Sequence, residues 1–165
     1  MFCRPRVRPR WDITEARWVN HNPNPRFAIY DSGTPEDVND DVVLDKETRL
    51  VWVRSPNTEK KNWDAAIVYS YAKAVARRKG WRLPTIEELL SLVDPTQSNP
   101  TLPVGHPFIN IQVDYYYWSS TLGMSSLPDY AWGYNFGNAD TSNVLKSANC
   151  YIWLVRGGYG HDYPY

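Results

Sequence analysis

Helical periodicity in this chain is confined to one stretch, residues 63–94, and short β-like runs broken by Pro, Gly and Asn follow it. Trp63, Ala66, Ile67, Tyr71, Ala74 and Val75 recur at helical spacing and predict a helix from Trp63 to Lys79. Arg77, Arg78 and Lys79 would complement the dipole in its last turn, and Gly80 would stop it. A second helix opens on a capping box, with Thr85 as N-cap and Glu88 three residues on to reach back to it. Ile86, Leu89, Leu90 and Val93 give this helix an apolar face, and Asp94-Pro95 ends it. Upstream, VVLDKETRLVWVR reads as two short strands, 42–44 and 50–53, joined by a polar turn at 45–49. Downstream, YYYWSS, YAWGYNF and CYIWLVR are the strand candidates. Two helices followed by a loop-rich antiparallel region make an α+β layout.

Composition narrows the role. A chain of 165 residues is enough for one domain with a real core. Its net charge of zero gives no global field favouring nucleic acid or an anionic membrane. No apolar run approaches the roughly 20 residues of a membrane span. Eight Trp and twelve Tyr against four Phe make the aromatic content unusual, and such rings suit half-buried cores and binding surfaces alike. Past position 100 the charged residues are Asp114, Asp129, Asp140, Lys146, Arg156 and Asp162 alone, amid Tyr, Asn, Ser and Gly. That mixture is the language of adaptable binding surfaces, and equally of irregular β structure. Residues 1–25, where Arg4, Arg6, Arg8 and Arg10 stand among prolines, read as an extended basic arm. The arm either docks on another subunit of an oligomer or frays, and residues 26–165 form the domain. The start, MFCRPRVRPR, shows no secretory signal, which leaves open a cytoplasmic chain, a processed one, or one carried outward on a particle. Cys3 and Cys150 do not make a disulfide framework; two free thiols are expected, with a single bridge as the alternative.

The order of motifs carries a resemblance. VVLDKETRLVW, WDAA, GWRLPTIEEL, SLVD, LPVGHPF, YWSST, AWGYNFG and LVRGG follow one another from Arg26 to Gly158. This succession resembles the bacterial domain family named after the C-terminal domain of the Legionella collagen-like adhesin. The resemblance implies a C-type-lectin-like fold related to the formylglycine-generating enzymes: two helices on a small twisted antiparallel sheet, with long loops presenting a ligand surface. Members are adhesins or binding modules of cell surfaces and phages, so a non-enzymatic module with a protein or glycan ligand on a cell or virus surface is implied. The chain departs from the pattern at Arg49, where the family has Gly in the turn, and in the tail YGHDYPY.

A second, narrower resemblance is to the variable proteins of diversity-generating retroelements, which carry their diversified residues on a lectin-like fold. There, mutation of adenines turns Asn codons into Tyr, Asp, Ser, Thr, Gly, Ala and Ile, the residues that enrich 115–153 here. Positions matching the family's fixed motifs, such as Trp118, Ser119, Ser120, Ala131, Trp132, Phe136 and residues 155–158, are expected to be structural. The binding candidates lie between them: Tyr115 and Tyr117; Gly123, Met124, Ser125, Ser126 and Leu127; Asp129 and Tyr130; Gly133 and Asn135; Asn138, Asp140 and Asn143; Tyr151 and Trp153. Alternation along YAWGYNF pulls Tyr134 inward with Trp132 and Phe136 and turns Gly133 and Asn135 outward. The same alternation turns Tyr116 inward with Trp118 and leaves Tyr115 and Tyr117 outside.

Chemistry is sparse. Ser119, Ser120 and Thr121 lack a nucleophile elbow and are expected to satisfy backbone groups in a turn. Arg82 is expected as a hydrogen-bonded linker between helix and sheet. Asp37, Asn39 and Asp41 resemble the opening of a calcium loop, but Val42 and Thr48 stand where Gly and Glu belong, so a solvated acidic turn is the reading. No CxxC, HExxH or Cys/His cluster suggests zinc, and no cofactor is implied. His106, in the GHPF motif, is expected to fix a turn. Formylglycine generation would need a cysteine pair near the C-terminus, and Cys150 stands alone there. An enzyme on the related fold, metal-dependent around 37–41 or His106, and a structural or assembly protein are the alternatives.

Overall fold

The computed structural model describes residues 18–19, 23–30, 38–124, 126 and 128–157. In chain order the strands begin with β1 (Trp18–Val19), β2 (Phe27–Tyr30), β3 (Val42–Asp45), β4 (Leu50–Val53) and β5 (Asn57–Lys61). The helices α1 (Trp63–Ala72) and α2 (Ile86–Ser91) follow. Then come β6 (Tyr117–Leu122), β7 (Tyr130–Asn135), β8 (Asp140–Leu145), β9 (Cys150–Ile152) and β10 (Val155–Gly157). The class is α+β. In place of one small antiparallel sheet, the strands form two sheets of five. One is ordered β1-β2-β3-β4-β10 and the other β5-β9-β6-β7-β8, the latter mixed because β6 and β9 run parallel. The chain passes between them at Trp153–Leu154: β9 pairs with β5 and β6, and β10 pairs with β4.

The aromatic content goes mainly into two cores. In one, Ile86 and Leu89 of α2 pack with Phe27, Trp52, Phe108, Tyr117, Tyr134, Phe136 and Trp153. In the other, Ala66 of α1 packs with Val51, Trp81, Leu83, Trp118, Ala131 and Ile152. Trp52, Trp81, Trp118 and Trp153 are each fully buried. Each removes about 200 Å² from water, on the order of 5 kcal/mol by area. Three of the four indoles donate to a backbone carbonyl: Trp81 to Arg78, Trp118 to Lys61 and Trp153 to Val53, at 2.8–3.0 Å.

Local chemistry explains the connections. The capping box at α2 is formed, with Glu88 N–H donating to Thr85 Oγ1 (3.2 Å) and Thr85 N–H to Glu88 Oε2 (2.8 Å). Its apolar face differs from expectation at one place: Leu90 is exposed and Leu92 is buried instead. Arg82 is the linker that its donors suggest, making a bidentate pair with Glu88 (2.7 Å to each oxygen) and reaching the Gly157 carbonyl at 3.2 Å. At the start of the 45–49 turn, buried Asp45 accepts from Arg26, from Glu47 N–H and from Thr48 Oγ1. Arg49 then adopts φ 63°, a left-handed conformation that Gly takes more readily, at the turn position where the resemblance implies Gly.

The first helix is shorter than its periodicity predicts, stopping at Ala72. Ala76 and Arg77 take positive φ, 51° and 57°. Ala76 N–H donates to Asp40 Oδ1 at 2.6 Å, and Val75 and Ala76 are buried. A tertiary anchor thus overrides helix propensity beyond Lys73. The acidic turn is solvated only in part, with Asn39 exposed. Asp41 is buried and paired with Arg54 at 2.8 Å, while Asp37 lies outside the described residues.

Candidate ligand-binding surface

The hydroxyls of YWSST are committed to the scaffold. Ser119 Oγ donates to the Trp132 carbonyl at 2.7 Å and Ser120 Oγ to the Pro84 carbonyl at 3.2 Å. Thr121 Oγ1 accepts the Ile86 N–H at 3.0 Å, capping the first turn of α2. These bonds tie β6 to β7 and to the helix.

Five of the expected surface residues are inside. Tyr117 and Trp153 are fully buried, and Gly133 and Asn135 are buried as well. For Tyr117, Gly133 and Asn135 the reason is shared: alternation exposes one face only if one face of the sheet is bare, and here both are covered. Tyr117 enters one core and its neighbour Trp118 the other, and Tyr117 Oη accepts the Gln112 N–H at 2.7 Å. Burial raises the Tyr117 phenol far above its ordinary range. Gly133 lies under Tyr116, whose Cβ stands 3.2 Å from where a Gly133 Cβ would be. Asn135 Oδ1 accepts the Gly137 N–H in the β7–β8 turn at 2.8 Å. Tyr134 is inside, as the alternation implied. Tyr151 is also buried, with its hydroxyl reaching Asp114 Oδ1 at 2.9 Å.

The remaining candidates do not form one patch. Tyr130 pairs with Leu145 and Asn135 with Asp140, so residues 122–130 sit at one end of the β6–β7–β8 sheet. Tyr115, Asn138 and Asp140 sit at the other. Five residues of β-strand separate the ends, roughly 17 Å.

At the Asp140 end the polar and aromatic groups are spent on one another. Tyr116 Oη donates to Asp140 Oδ2, which together with burial raises the Tyr116 phenol. Tyr151 and Lys60 converge on Asp114; their hydrogen bonds hold its carboxyl below the usual carboxylate range. Lys60 Nζ also lies 4.8 Å from the Tyr115 ring centroid and 4.6 Å from that of Tyr151. Burial opposes its charge, yet Tyr151 and Asp114 raise its ammonium above the ordinary value.

At the hairpin end the apolar groups are open. Leu122 is 56 % exposed, Met124 58 % and Leu145 45 %. Ser126 and Asp129 are exposed beside them, Tyr130 and Asn143 are half-buried, and Ser125 and Leu127 lie outside the described residues. The neck of the loop is closed by hydrogen bonds. Gly123 N–H donates to the Tyr130 carbonyl at 2.8 Å, and a Cβ on Gly123 would stand 2.8 Å from that same oxygen. Lys146 Nζ clamps the Pro128 carbonyl at 2.8 Å. Gly123 is therefore a packing necessity rather than a display position. Asn143 Oδ1 is buried beneath the neck with no partner among the described residues. Leu122 and Leu145 were not picked out in the sequence; their signal is a large aliphatic residue at the last position of a polar strand.

Other groups are structural. His106 stacks on Phe108 at 6.0 Å, its N–H closes a turn onto Pro103, and burial lowers its imidazole below the ordinary value. Cys150 is a buried free thiol, pushed up to about 12 by burial; Cys3 lies outside the described residues. Among the described residues no three His, Cys, Asp or Glu side chains are grouped to hold a metal ion. No described helix is long and apolar enough to cross a membrane.

A scan against family models matches residues 41–156 to the Lcl C-terminal domain. The chain belongs to this family. The match begins at Asp41, the partner of Arg54, and ends at Arg156 in β10, so it spans both cores and both sheets apart from β1 and β2. Arg82, Glu88, the YWSST hydroxyls and the two ends of the C-terminal sheet all lie within this Lcl C-terminal domain. No curated protein matches the chain.

Proposed function

We propose that this Lcl C-terminal domain is a non-enzymatic binding module of the adhesin or receptor-binding type, using the hairpin end of β6–β8 to hold a protein on a cell or virus surface. The observation that carries this reading is that Leu122, Met124 and Leu145 are each exposed at this end, Leu122 on the Ala131 face of the sheet and Leu145 on the Tyr130 face. Met and Tyr are enriched at the centres of protein interfaces, and a glycan would call for fully exposed ring faces, whereas Trp63, Tyr130 and Trp132 at this end are each half-buried. Asp129, Ser126 and the loop around them supply a polar rim. The two-core scaffold is compatible with a C-type-lectin-like fold. It supports the narrower reading too: a loop on a hydrogen-bonded neck can be diversified, as in retroelement variable proteins, without disturbing either core.

A binding comparison tests it. The triple variant Leu122→Ser, Met124→Ser, Leu145→Ser should keep the wild-type melting temperature and lose capture of surface protein from an envelope extract. A Lys60→Glu variant at the opposite end should retain capture. Unchanged capture by the triple variant, or capture of glycans on an array instead, contradicts the proposal.

A further inference from the structure

We propose a second site, unrelated to the hairpin end: the cleft between the C-terminal end of α1 and the β4–β5 turn binds a small organic carboxylate with a short aliphatic body. The cleft encloses about 280 Å³. Its floor includes Val53, Ile152 and Leu154, aliphatic side chains no more than 6 % exposed, so a ligand's hydrocarbon would gain contact with them rather than remove much surface from water. Its walls supply hydrogen-bond donors from Ser55, Asn57, Thr58, Tyr69 and Lys73.

These donors are unspent. Ser55 Oγ accepts from Asn110 Nδ2 at 3.0 Å, which leaves its own proton to give. Asn57 Oδ1 accepts the Glu59 N–H at 3.0 Å, which leaves its amide N–H groups. The charge has one sign. Lys61 and Lys73 each place an ammonium 5.6 Å from the Tyr69 ring centroid. Lys61 is paired with Glu59 at 3.4 Å, whereas Lys73 has no carboxylate partner among the described residues. No described Asp or Glu lines the cleft. An apolar floor, surplus donors and a single uncompensated cation are together complementary to a carboxylate carried on carbon, and to neither an amine nor a bare hydrocarbon. Small-ligand sites run from roughly 300 to 1,000 Å³, so a cleft just below that range takes a ligand of few carbons.

Titration of the full chain with hexanoate, hexan-1-ol and hexylamine, followed by amide chemical shifts and calorimetry, tests this. Hexanoate should bind saturably and shift the amides of Asn57, Thr58 and Lys73. Hexan-1-ol should bind about tenfold more weakly, the loss expected for one charged hydrogen bond. Hexylamine should not bind at the cleft. Lys73→Gln should bring hexanoate down to the level of hexan-1-ol, and Thr58→Trp, which fills the cleft from an exposed position, should abolish binding with the melting temperature unchanged. Non-saturating hexanoate, equal binding of hexylamine, or an unchanged hexanoate affinity in Lys73→Gln overturns the proposal.

Discussion

At one end of the β6–β7–β8 sheet Tyr116 donates to Asp140, Tyr151 donates to Asp114 and Lys60 lies against two tyrosine rings; at the other, Leu122, Met124 and Leu145 face solvent above a clamped neck. Both ends draw on a similar polar and aromatic vocabulary. They differ in whether those groups have already found partners. Tyrosines and carboxylates that satisfy one another stabilise the scaffold and leave little for a ligand. Exposed aliphatic residues on a fixed frame have nothing to cover them inside the chain and gain by covering something else. Residue type therefore does not separate the two ends, whereas the state of their hydrogen bonds does.

The comparison breaks most sharply inside YYYWSST. Tyr117→Ala removes a ring packed against Phe136, Tyr151 and Trp153. It should cost about 3–5 kcal/mol of unfolding free energy, whereas Tyr115→Ala, at the rim, should cost no more than about 1 kcal/mol. Equal costs in urea unfolding would mean that Tyr117 is not core. A smaller effect separates the neck of the hairpin from its tip. Gly123→Ala should destabilise by about 1–3 kcal/mol, because backbone oxygen occupies the space of the new methyl. Met124→Ala next to it should stay within about 0.5 kcal/mol. The same denaturation series reads both.

The scaffold should also report itself through pH, more weakly. Burial lowers the folded-state pKa of His106 below its ordinary 6.5, so the unfolded chain binds more protons as the solution acidifies. Stability is fully present above about 6.5 and is lost as pH falls through the folded value. His106→Gln should flatten that part of the stability profile. An identical slope in the variant would show that the imidazole is not desolvated.

Much of the scaffold was legible in the residues. The capping box at Thr85, the linker role of Arg82 and the backbone bonds of Ser119, Ser120 and Thr121 follow from side chains whose chemistry has few outlets. What was not legible depends on partners distant in sequence. The first helix stops short because Asp40 and a buried Val75 hold the chain elsewhere. β5 and β8, written NTEKK and DTSNVL, look like loops because an edge strand is polar on both faces. Tyr117, Gly133 and Asn135 were misplaced for one reason: alternation presumes a bare face, and the second core removes it; Tyr151 and Trp153, chosen for lying between the fixed motifs, are inside as well. For the candidate surface, the stretch 123–130 was recognisable by its composition, while the exposure of Leu122 and Leu145 required the register of three strands.

The central claim is that the middle of this sheet is scaffold and its hairpin end is display. A protease-resistance scan of single substitutions at every position from 115 to 153 tests it directly. Tyr117, Gly123, Gly133, Asn135 and Trp153 should tolerate almost no replacement, while Met124, Ser126 and Asp129 should accept nearly all of them. Comparable tolerance in the two sets would contradict the account.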